Sequence, residues 1–419
     1  MNVRIKKCLL EGVVNVPSSK SLTHRAIIAA SLASGESVIS NVSYSKDIDA
    51  TIKAMESLGA VIKKDNDTLY ISGCYPKCVN KEIDCIESGS TTRFLIPLSI
   101  LTGNEMTIIG HNKLVDRPLD PYFQIFDQDA IIYSHDTHYL PLTVKGKFKG
   151  GRYKIRGDVS SQFITGLLFT LPLIENDSII EITTKLESKS YIDLTIDILS
   201  KFGINITYKD NCYYIKGNQS YKPYSYTVEG DFSQAAFFLV ADALGSNVKL
   251  KNLNPNSLQG DKAILDDLVK FGAQVIYEDN LYSVKPSTYK AIDIDVSNTP
   301  DLGPILCVLL NSVKGTSRLI NAERLRIKEC DRITCVKEEL NKIGFDISET
   351  HDTMIINGTT LVSGGIIDSH NDHRLVMAFS IAATISNSDI VITNAEAINK
   401  SYPKFFEDFE KLGGHISYE

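Results

Sequence analysis

Clusters of hydroxyl and cationic side chains recur along the 419 residues of the chain. In the first cluster Lys20 is followed by Ser21 and Arg25, and the spacing of Ser21 and Arg25 puts both on one face of a helix. Such side chains bind phosphate and carboxylate groups through charge-assisted hydrogen bonds. Further cations of this kind are Arg117, Lys328, Arg332, Arg374 and Lys400. These clusters indicate a site for anionic molecules.

Two carboxylates accompany these cations and could move protons. Asp301 follows Pro300 at a predicted helix start, and Glu329 lies beside Lys328 and close to Arg332. The two cations should keep Glu329 ionised, and a set of Lys, Glu and Asp side chains can transfer protons. Each residue alone has a simpler interpretation, because exposed lysines are usually solvated, surface ion pairs contribute little, and Asp is a common helix N-cap.

The elements that must position these residues repeat about every seventy residues. Predicted first-helix starts fall at positions 20, 89, 160, 231, 301 and 372, and predicted second-helix starts at 47, 117, 189, 260, 329 and 400. Glycines that end helices stand at 59, 203, 272, 344 and 413, and a degraded copy of this signal surrounds Ala130. Three signals with one period over six copies predict six similar α/β units, three in each of two domains.

The repeat gives the helix starts a chemical meaning. A helix N-terminus offers unpaired N–H groups and a partial positive charge, so it attracts anions. Equivalent helices in a pseudo-symmetric repeat point the same way, and up to twelve N-termini would then face one cleft. The repeat thus gives one explanation for the positions of these cations, hydroxyls and carboxylates, whereas the simpler interpretations treat each residue separately.

Composition excludes several other classes of function. The net charge of −7 argues against a general nucleic-acid or membrane binder. The chain has no P-loop and no convincing dinucleotide fingerprint, and its eight Cys lack metal spacing, so we expect free thiols, no metal and no organic cofactor. No apolar run is long enough to cross a bilayer, and the first residues do not read as a signal or transit peptide, so we expect a cytoplasmic protein.

Six motifs together resemble the EPSP synthase (3-phosphoshikimate 1-carboxyvinyltransferase) family of enolpyruvyl transferases. The likeness runs from the N-terminus to Lys400, essentially the whole chain. The motifs are the residues 17–25 (PSSKSLTHR), 88–93 (SGSTTR), 116–118 (DRP), 159–163 (VSSQF), 326–332 (RIKECDR) and 371–374 (NDHR).

The resemblance implies a fold and a reaction. The fold has two similar domains, each of three βαβαββ units around a central cleft, an inside-out α/β barrel. Residues 16–228 would form the N-terminal domain, and residues 1–15 would return to the C-terminal domain at 229–419. The implied reaction transfers the enolpyruvyl group of phosphoenolpyruvate to the 5-hydroxyl of shikimate 3-phosphate and releases phosphate, a step toward chorismate and aromatic amino acids. It uses neither metal nor cofactor, and we expect a monomer.

The resemblance also implies roles for single residues. Asp301 would act as the base on the 5-hydroxyl, Glu329 would deliver a proton to the methylene carbon, and Lys20 would assist. Shikimate 3-phosphate would contact Lys20, Ser21, Arg25, Ser160, Ser161, Gln162, Ser188, Tyr191, Asp301 and Lys328. Phosphoenolpyruvate would contact Lys20, Gly89, Arg117, Gln162, Arg332, His373, Arg374 and Lys400. The chain departs from the usual family pattern at Glu87, Ser90 and Arg324.

Two alternatives share these features. UDP-N-acetylglucosamine carboxyvinyltransferases have the same repeat fold, but many carry a Cys in the loop before the arginine, where this chain reads His111 to Asp116 without one. A repeat protein that binds phosphorylated ligands without turnover is the non-enzyme alternative.

Overall fold

The computed structural model describes residues 1–419, and the chain divides into two compact units. One unit is Lys20–Val228, and the other joins Met1–Ser19 to Glu229–Glu419. Each unit contains three four-stranded sheets and its own apolar core. The chain opens with strands β1 (Val3–Lys6) and β2 (Glu11–Asn15), which both belong to the second of these units.

In the unit Lys20–Val228, two repeats have the complete order βαβαββ and the first borrows a strand. The first repeat is α1 (Lys20–Leu32), β3 (Gly35–Ser40), α2 (Lys46–Ser57), β4 (Val61–Asp65) and β5 (Thr68–Gly73). The second is β6 (Glu82–Asp84), α3 (Gly89–Ile100), β7 (Met106–Ile109), α4 (Asp120–Asp129), β8 (Ile132–Ser134) and β9 (Leu142–Lys145). The third is β10 (Gly151–Ile155), α5 (Ser161–Thr170), β11 (Ser178–Ile182), α6 (Lys189–Lys201), β12 (Ile206–Lys209) and β13 (Cys212–Ile215). Strand β14 (Ser225–Thr227) then pairs in parallel with β3 and completes the first sheet.

The other unit follows the same plan. Its first repeat is α7 (Phe232–Ala243), β15 (Asn247–Lys251), α8 (Ile264–Phe271), β16 (Gln274–Glu278) and β17 (Leu281–Lys285), completed by β2 beside β15. The second is β18 (Asp293–Asp295), α9 (Gly303–Leu310), β19 (Gly315–Ile320), α10 (Arg332–Lys342), β20 (Ile347–Glu349) and β21 (Met354–Gly358). The last is β22 (Gly365–Asp368), α11 (His373–Thr384), β23 (Ile390–Thr393), α12 (Phe405–Lys411) and β24 (His415–Tyr418), with β1 between β23 and β24. The six predicted α/β units are confirmed, and both N-terminal strands, β1 and β2, pair with strands of this unit.

The first helix of each repeat lies in the core. Every residue of α7 and α11 is buried, as are 11 of the 12 residues of α3. A helix that is apolar on all sides has no solvent face and is held by packing all around it. This packing holds the N-terminus of the helix, and the side chains next to it, in a defined position. No helix in the chain has the length and apolar character needed to span a membrane.

The structure supports the predicted first-helix starts and corrects some of the second ones. Helices α1, α3, α5, α7 and α11 begin within one residue of the predicted positions. The expectation that Glu329 opens a helix is wrong, because it lies in a bend between the 3₁₀ helix Glu323–Ile327 and α10. Lys400 likewise ends the 3₁₀ helix Ala395–Lys400, and Arg117 follows another at Asn112–Asp116. The first turn of α4 contains Pro121.

The degraded copy of the helix-ending signal is confirmed at Ala130. This residue caps α4 in the left-handed conformation, with φ of 58° and ψ of 36°. The glycines at 59, 203, 272, 344 and 413 adopt the same positive-φ conformation at the equivalent place. The backbone of the repeat is therefore kept even where the glycine has been lost.

Candidate active site

Arg25 is a buried cation of the unit Lys20–Val228. Its Nε donates to Thr195 Oγ1 at 2.8 Å, and its Nη1 and Nη2 donate to the carbonyls of Ser21 at 2.7 Å and Tyr191 at 3.0 Å. The guanidinium also lies 5.3 Å from the ring centre of Phe94. Burial lowers the pKa of Arg25 to about 10, so it stays charged at neutral pH. As predicted, Ser21 and Arg25 share a face of α1.

Hydroxyl groups connect the starts of three helices in the same unit. Thr51 Oγ1 lies 2.7 Å from both His24 Nδ1 and Thr91 Oγ1, and Thr91 Oγ1 donates to Ser88 Oγ at 2.7 Å. Burial, with the nearby charges of Lys20 and Arg25, holds the pKa of His24 well below its usual value. A neutral His24 can exchange hydrogen bonds with Thr51 without adding charge, so the network fixes the helix starts relative to one another.

Lys20 is the first residue of α1 and forms an ion pair. Its Nζ lies 2.7 Å from Asp47 Oδ2, at the start of α2. The side chains of Lys20 and Asp47 retain 19% and 13% of their exposure, so the pair is reachable from solvent. A partly exposed ion pair of this kind can be exchanged for an anionic ligand at modest cost.

Gly89, Arg117 and Gln162 come together at the N-termini of α3 and α5. A Cβ built on Gly89 would lie 2.8 Å from Arg117 Nη1 and 3.1 Å from Arg93 Nη1. Arg93 Nη1 donates to Gln162 Oε1 at 2.9 Å, and Gln162 Nε2 donates to Ser90 Oγ at 2.9 Å. Only glycine leaves room for two guanidinium groups at this helix start. The sequence analysis assigned no role to Arg93, although Arg93 is the last residue of the motif 88–93.

The remaining predicted residues of this unit lie at two further helix starts. Ser160 is the N-cap of α5 and accepts a hydrogen bond from Gln162 N at 3.3 Å, and the buried Ser161 follows it. Ser188 precedes α6 in the left-handed conformation, with φ of 51°. Tyr191, in the first turn of α6, offers its carbonyl to Arg25. Hydroxyl groups thus stand at both helix starts.

Arg332 organises the candidate site of the other unit. Its side chain is 1% exposed and donates four hydrogen bonds to three carboxylates. Nη2 donates to Glu329 Oε2 at 2.7 Å, Nη1 to Asp301 Oδ1 at 2.8 Å, and Nε to Asp372 Oδ2 at 2.7 Å. Burial opposes the charge of Arg332, but Asp372, Glu329 and Asp301 outweigh it and raise its pKa. The two predicted acid–base carboxylates therefore share one guanidinium.

Asp301 lies among three cations. Arg374 Nη2 donates to its Oδ2 at 3.0 Å, Arg332 Nη1 to its Oδ1, and Lys328 Nζ lies 3.4 Å from Oδ1. Burial alone would raise the pKa of Asp301, but Arg374, Lys328 and Arg332 together hold it well below its usual value. Burial also lowers the pKa of Lys328, to about 8, with Asp301 opposing the shift.

Lys328 and Arg332 do not share a helical face. Lys328 has φ of −87° and ψ of −154°, so its backbone is extended and precedes α10. The two side chains still converge, because both reach Asp301 Oδ1. The convergence comes from the bend around Glu329 rather than from helical spacing.

The start of α11 completes this group. Asp372 is the N-cap, and its Oδ1 accepts a hydrogen bond from Arg374 N at 2.8 Å. His373 is 3% exposed, and Lys400 Nζ donates to the carbonyl of Asn371 at 2.7 Å. The predicted residues His373, Arg374 and Lys400 therefore surround one helix start.

Two acidic residues of this group were missed by sequence reasoning. Asp372 binds Arg332, and buried Asp261 accepts a hydrogen bond from Ser233 Oγ. Burial and the charge of Asp301 raise the pKa of Asp261 to about 6. Both residues lie at positions that the repeat predicts to be helix starts. Their place in the repeat is the sequence signal that could have identified them.

Solved structures of enolpyruvyl transferases have this fold. EPSP synthase from Acinetobacter baumannii superposes with a TM-score of 0.83 at 24% identity, covering 100% of both chains. The enolpyruvyl transferase NikO from Streptomyces tendae superposes with a TM-score of 0.82 at 14% identity, covering 100% of this chain and 98% of that one. The fold of the chain is therefore that of the enolpyruvyl transferases.

Sequence comparison narrows this class to one family. The family model for EPSP synthase (3-phosphoshikimate 1-carboxyvinyltransferase) matches residues 6–409, and the chain belongs to this family. Relatives named 3-phosphoshikimate 1-carboxyvinyltransferase include one from Clostridium kluyveri, 49% identical over 418 residues, and one from Clostridium novyi, 50% identical over 428 residues. Each alignment covers 99% of this chain and 98% of the relative.

Proposed function

We propose that the chain catalyses the reaction for which its family is named, the transfer of the enolpyruvyl group of phosphoenolpyruvate to the 5-hydroxyl of shikimate 3-phosphate. The products are 5-enolpyruvylshikimate 3-phosphate and phosphate, on the pathway to chorismate. The observation that carries the proposal is the cluster in which buried Arg332 binds both Asp301 and Glu329. In a chain of this family, that cluster puts two candidate proton carriers beside cations that suit anionic substrates.

The addition needs two proton transfers, one at oxygen and one at carbon, and the elimination needs one at carbon. The 5-hydroxyl oxygen adds to C2 of phosphoenolpyruvate as its proton leaves, and the methylene carbon gains a proton, giving a tetrahedral intermediate. Phosphate then leaves C2 as the new methyl group loses a proton, which regenerates the double bond. Addition and elimination balance, so no oxidant or reductant is consumed.

We assign the proton on oxygen to Asp301 and the proton on carbon to Glu329. Asp301 is held ionised by Arg374, Lys328 and Arg332, which makes it an acceptor in the free chain. Binding of anionic substrates offsets that positive field and raises the proton affinity of the carboxylates. Lys20, paired with Asp47, is the further proton carrier or a clamp on the leaving phosphate.

We assign the remaining residues to the two substrates. Shikimate 3-phosphate contacts Lys20, Ser21, Arg25, Ser160, Ser161, Gln162, Ser188, Tyr191, Asp301 and Lys328. Phosphoenolpyruvate contacts Lys20, Gly89, Arg117, Gln162, Arg332, His373, Arg374 and Lys400. Two observations support these assignments. Arg25 is buried and hydrogen-bonded to oxygen atoms, and the Arg117 guanidinium lies against Gly89.

We further propose two domains, residues 16–228 and residues 1–15 with 229–419, in a cytoplasmic monomer that needs no metal or cofactor. The compact units and the sheets completed by β1, β2 and β14 support the division. Size-exclusion chromatography with light scattering tests the monomer.

A phosphate-release assay tests the function. The purified chain with phosphoenolpyruvate and shikimate 3-phosphate should release phosphate and form the enol ether, whereas either substrate alone should not. Release with UDP-N-acetylglucosamine in place of shikimate 3-phosphate would assign the chain to the sister reaction. Binding of both substrates without release would contradict enzymatic turnover.

A further inference from the structure

A short turn between β22 and α11 carries two residues in the left-handed conformation. His370 has φ of 50° and Asn371 has φ of 57°. Left-handed residues other than glycine are uncommon, and they persist only where the surrounding contacts hold them. The turn leads directly into Asp372, whose N–H donates to the carbonyl of Ser369 at 2.9 Å. The geometry of this turn, residues 369–371, therefore places Asp372 at the start of α11.

Glu339 holds this turn to α10. Its side chain is 3% exposed, and Oε1 lies 2.9 Å from His370 Nε2. Oε2 accepts a hydrogen bond at 2.9 Å from the N–H of Asp368, the residue before the turn. Asp368 Oδ1 in turn accepts a hydrogen bond from His370 N at 2.7 Å. One buried carboxylate thus binds the backbone that enters the turn and the ring that the turn carries.

Glu339 and Arg332 lie on the same face of α10. They are seven residues apart, which is two helical turns, or about 10 Å along the helix axis. Arg332 binds Asp372, the residue after the turn, and Glu339 binds His370 within it. Side chains of α10 therefore contact this segment at two separate points.

The turn also contacts a cation of the proposed phosphoenolpyruvate site. The carbonyl of Asn371 accepts the hydrogen bond from Lys400 Nζ at 2.7 Å. Arg332 is held by Asp301 and Glu329 in addition to the residue after the turn. A shift of the turn should therefore displace Lys400 more than Arg332.

The contact between His370 and Glu339 depends on pH. Burial lowers the pKa of His370, but the hydrogen bond to Glu339 on α10, with Cys335 on the same helix and Asp368 on β22, raises it above its usual value. Burial raises the pKa of Glu339, but hydrogen bonds from Lys342, Asp368 N and His370 lower it overall, so the carboxylate is ionised. An ion pair whose histidine has a raised pKa is complete at low pH and is lost as the pH rises through that pKa.

We propose that Glu339 and His370 are positioning residues that fix Lys400 for phosphoenolpyruvate, through an ion pair present only while His370 is protonated. The pair holds the turn, and the carbonyl of Asn371 in the turn holds the Lys400 ammonium. The effect on phosphoenolpyruvate rests on the proposed function, whereas the contact of the pair with the turn does not.

The kinetic test compares the KM for phosphoenolpyruvate of the parent and of His370→Asn from about pH 5.5 to 9. Asn tolerates the left-handed conformation but carries no charge. Below the pH at which His370 titrates, the variant should have a KM about three- to tenfold higher, because a partly exposed ion pair contributes at most about a decade in affinity. Above that pH the two KM values should converge, and kcat should stay within about threefold throughout. Ionisation of the ligand phosphate near pH 6 affects both proteins alike, so it cancels in the ratio.

Three further variants separate the pair from its surroundings. Glu339→Gln keeps the shape of the side chain but removes its charge, so it should raise KM and flatten the dependence on pH. Lys342→Gln removes the half-exposed partner of the same carboxylate and is the matched control for Glu339→Gln. His351→Asn replaces an exposed histidine of the same unit and is the matched control for His370→Asn. Both controls should follow the parent.

Nuclear magnetic resonance tests the contact without substrates. The ring signal of His370, identified by its absence from His370→Asn, should titrate above about pH 6.5, the ordinary value for histidine. Glu339→Gln should lower that midpoint, because the charge that favours the imidazolium is gone. The amide signal of Asn371 in the parent should shift with the same midpoint as the ring.

Three outcomes would overturn the proposal. They are a His370 midpoint that Glu339→Gln does not move, a KM ratio of His370→Asn to the parent that does not vary with pH, and a loss of kcat with unchanged KM. The constant ratio would mean that His370 has a structural role only. A parent without turnover would contradict the proposed function alone, and the titrations of His370 and the Asn371 amide would then decide whether the pair holds the turn.

Discussion

Arg332 and Asp372 form a bidentate ion pair that joins the starts of α10 and α11. Nε and Nη2 of Arg332 donate to the two carboxylate oxygens of Asp372 at 2.7 Å and 3.2 Å. Asp372 is wholly buried and also caps α11 through Arg374 N. The pair fixes the guanidinium, and the guanidinium in turn holds Asp301 and Glu329, so the candidate acid–base groups depend on Asp372.

Loss of the Asp372 charge should destabilise the protein. Removing one partner of a buried ion pair leaves the other charge uncompensated, so Asp372→Asn should lower the free energy of unfolding by about 3 kcal/mol. Urea denaturation measures the change. Asp293→Asn is the control, because Asp293 pairs with Arg318 at 3.3 Å with both side chains about half exposed, and it should cost less than about 1 kcal/mol. Equal costs for the two variants would contradict the role of the buried pair.

Binding of shikimate 3-phosphate should weaken as the pH rises through about 8. Burial lowers the pKa of Lys328 to about 8, so its ammonium is charged below this pH and neutral above it. The second ionisation of a phosphate monoester lies near pH 6, so the ligand keeps its charge in this window. Calorimetric affinity should fall by up to about tenfold per pH unit above pH 8. Lys328→Arg stays charged and should flatten this profile, and a parent profile that is flat from pH 7 to 9.5 would reject the role of Lys328.

Truncation of Arg25 should weaken the same ligand at any pH. Loss of a charge-assisted hydrogen bond costs about 1.5–3 kcal/mol, so Arg25→Ala should raise the Kd for shikimate 3-phosphate roughly 10- to 100-fold. Arg152→Ala is the control, because Arg152 is half exposed and pairs with Glu181 on a strand. Calorimetry should give the control the parent affinity. An unchanged Kd in folded Arg25→Ala would remove Arg25 from the binding site.

The left-handed Ala130 offers a test of the repeat itself. Glycine adopts this conformation without the steric cost that a Cβ brings, so Ala130→Gly should stabilise the protein by about 0.5–1 kcal/mol. The converse control is Gly413→Ala, since a Cβ there meets only Leu9 O, at 4.0 Å, and φ is 89°. That change should destabilise by about 1 kcal/mol. Thermal unfolding measures both, and a destabilised Ala130→Gly would contradict the assignment of Ala130 to the glycine phase.

The sequence could predict what depends on local rules. The starts of α1 and α11 and the left-handed cap at Ala130 follow from capping, periodicity and the repeat. The pairing of Arg332 with Asp372 could not be predicted, because it requires the starts of α10 and α11, forty residues apart in the chain, to lie side by side. The extended backbone of Lys328 could not be predicted either, because a bend held by ion pairs has no signal in the local sequence.

The most direct test of the account concerns the proton on carbon. Incubation of 5-enolpyruvylshikimate 3-phosphate and phosphate with the chain in heavy water should place deuterium in the vinyl group, because addition and loss of phosphate exchange that proton. This half-reaction leaves the bond to the 5-oxygen intact. Glu329→Gln should slow the exchange by roughly 10²–10⁴-fold, the usual span for a positioned acid–base group, and lower kcat to match.

Asp301→Asn separates the two carboxylates in the same measurement. It should lower kcat by roughly 10²–10⁴-fold yet leave the exchange within about tenfold of the parent, because Asp301 acts on oxygen. Mass spectrometry of the recovered enol ether gives the rate of exchange for both variants. Exchange in Glu329→Gln at the parent rate would contradict the assignment of Glu329 and leave Lys20 as the better candidate for the proton on carbon.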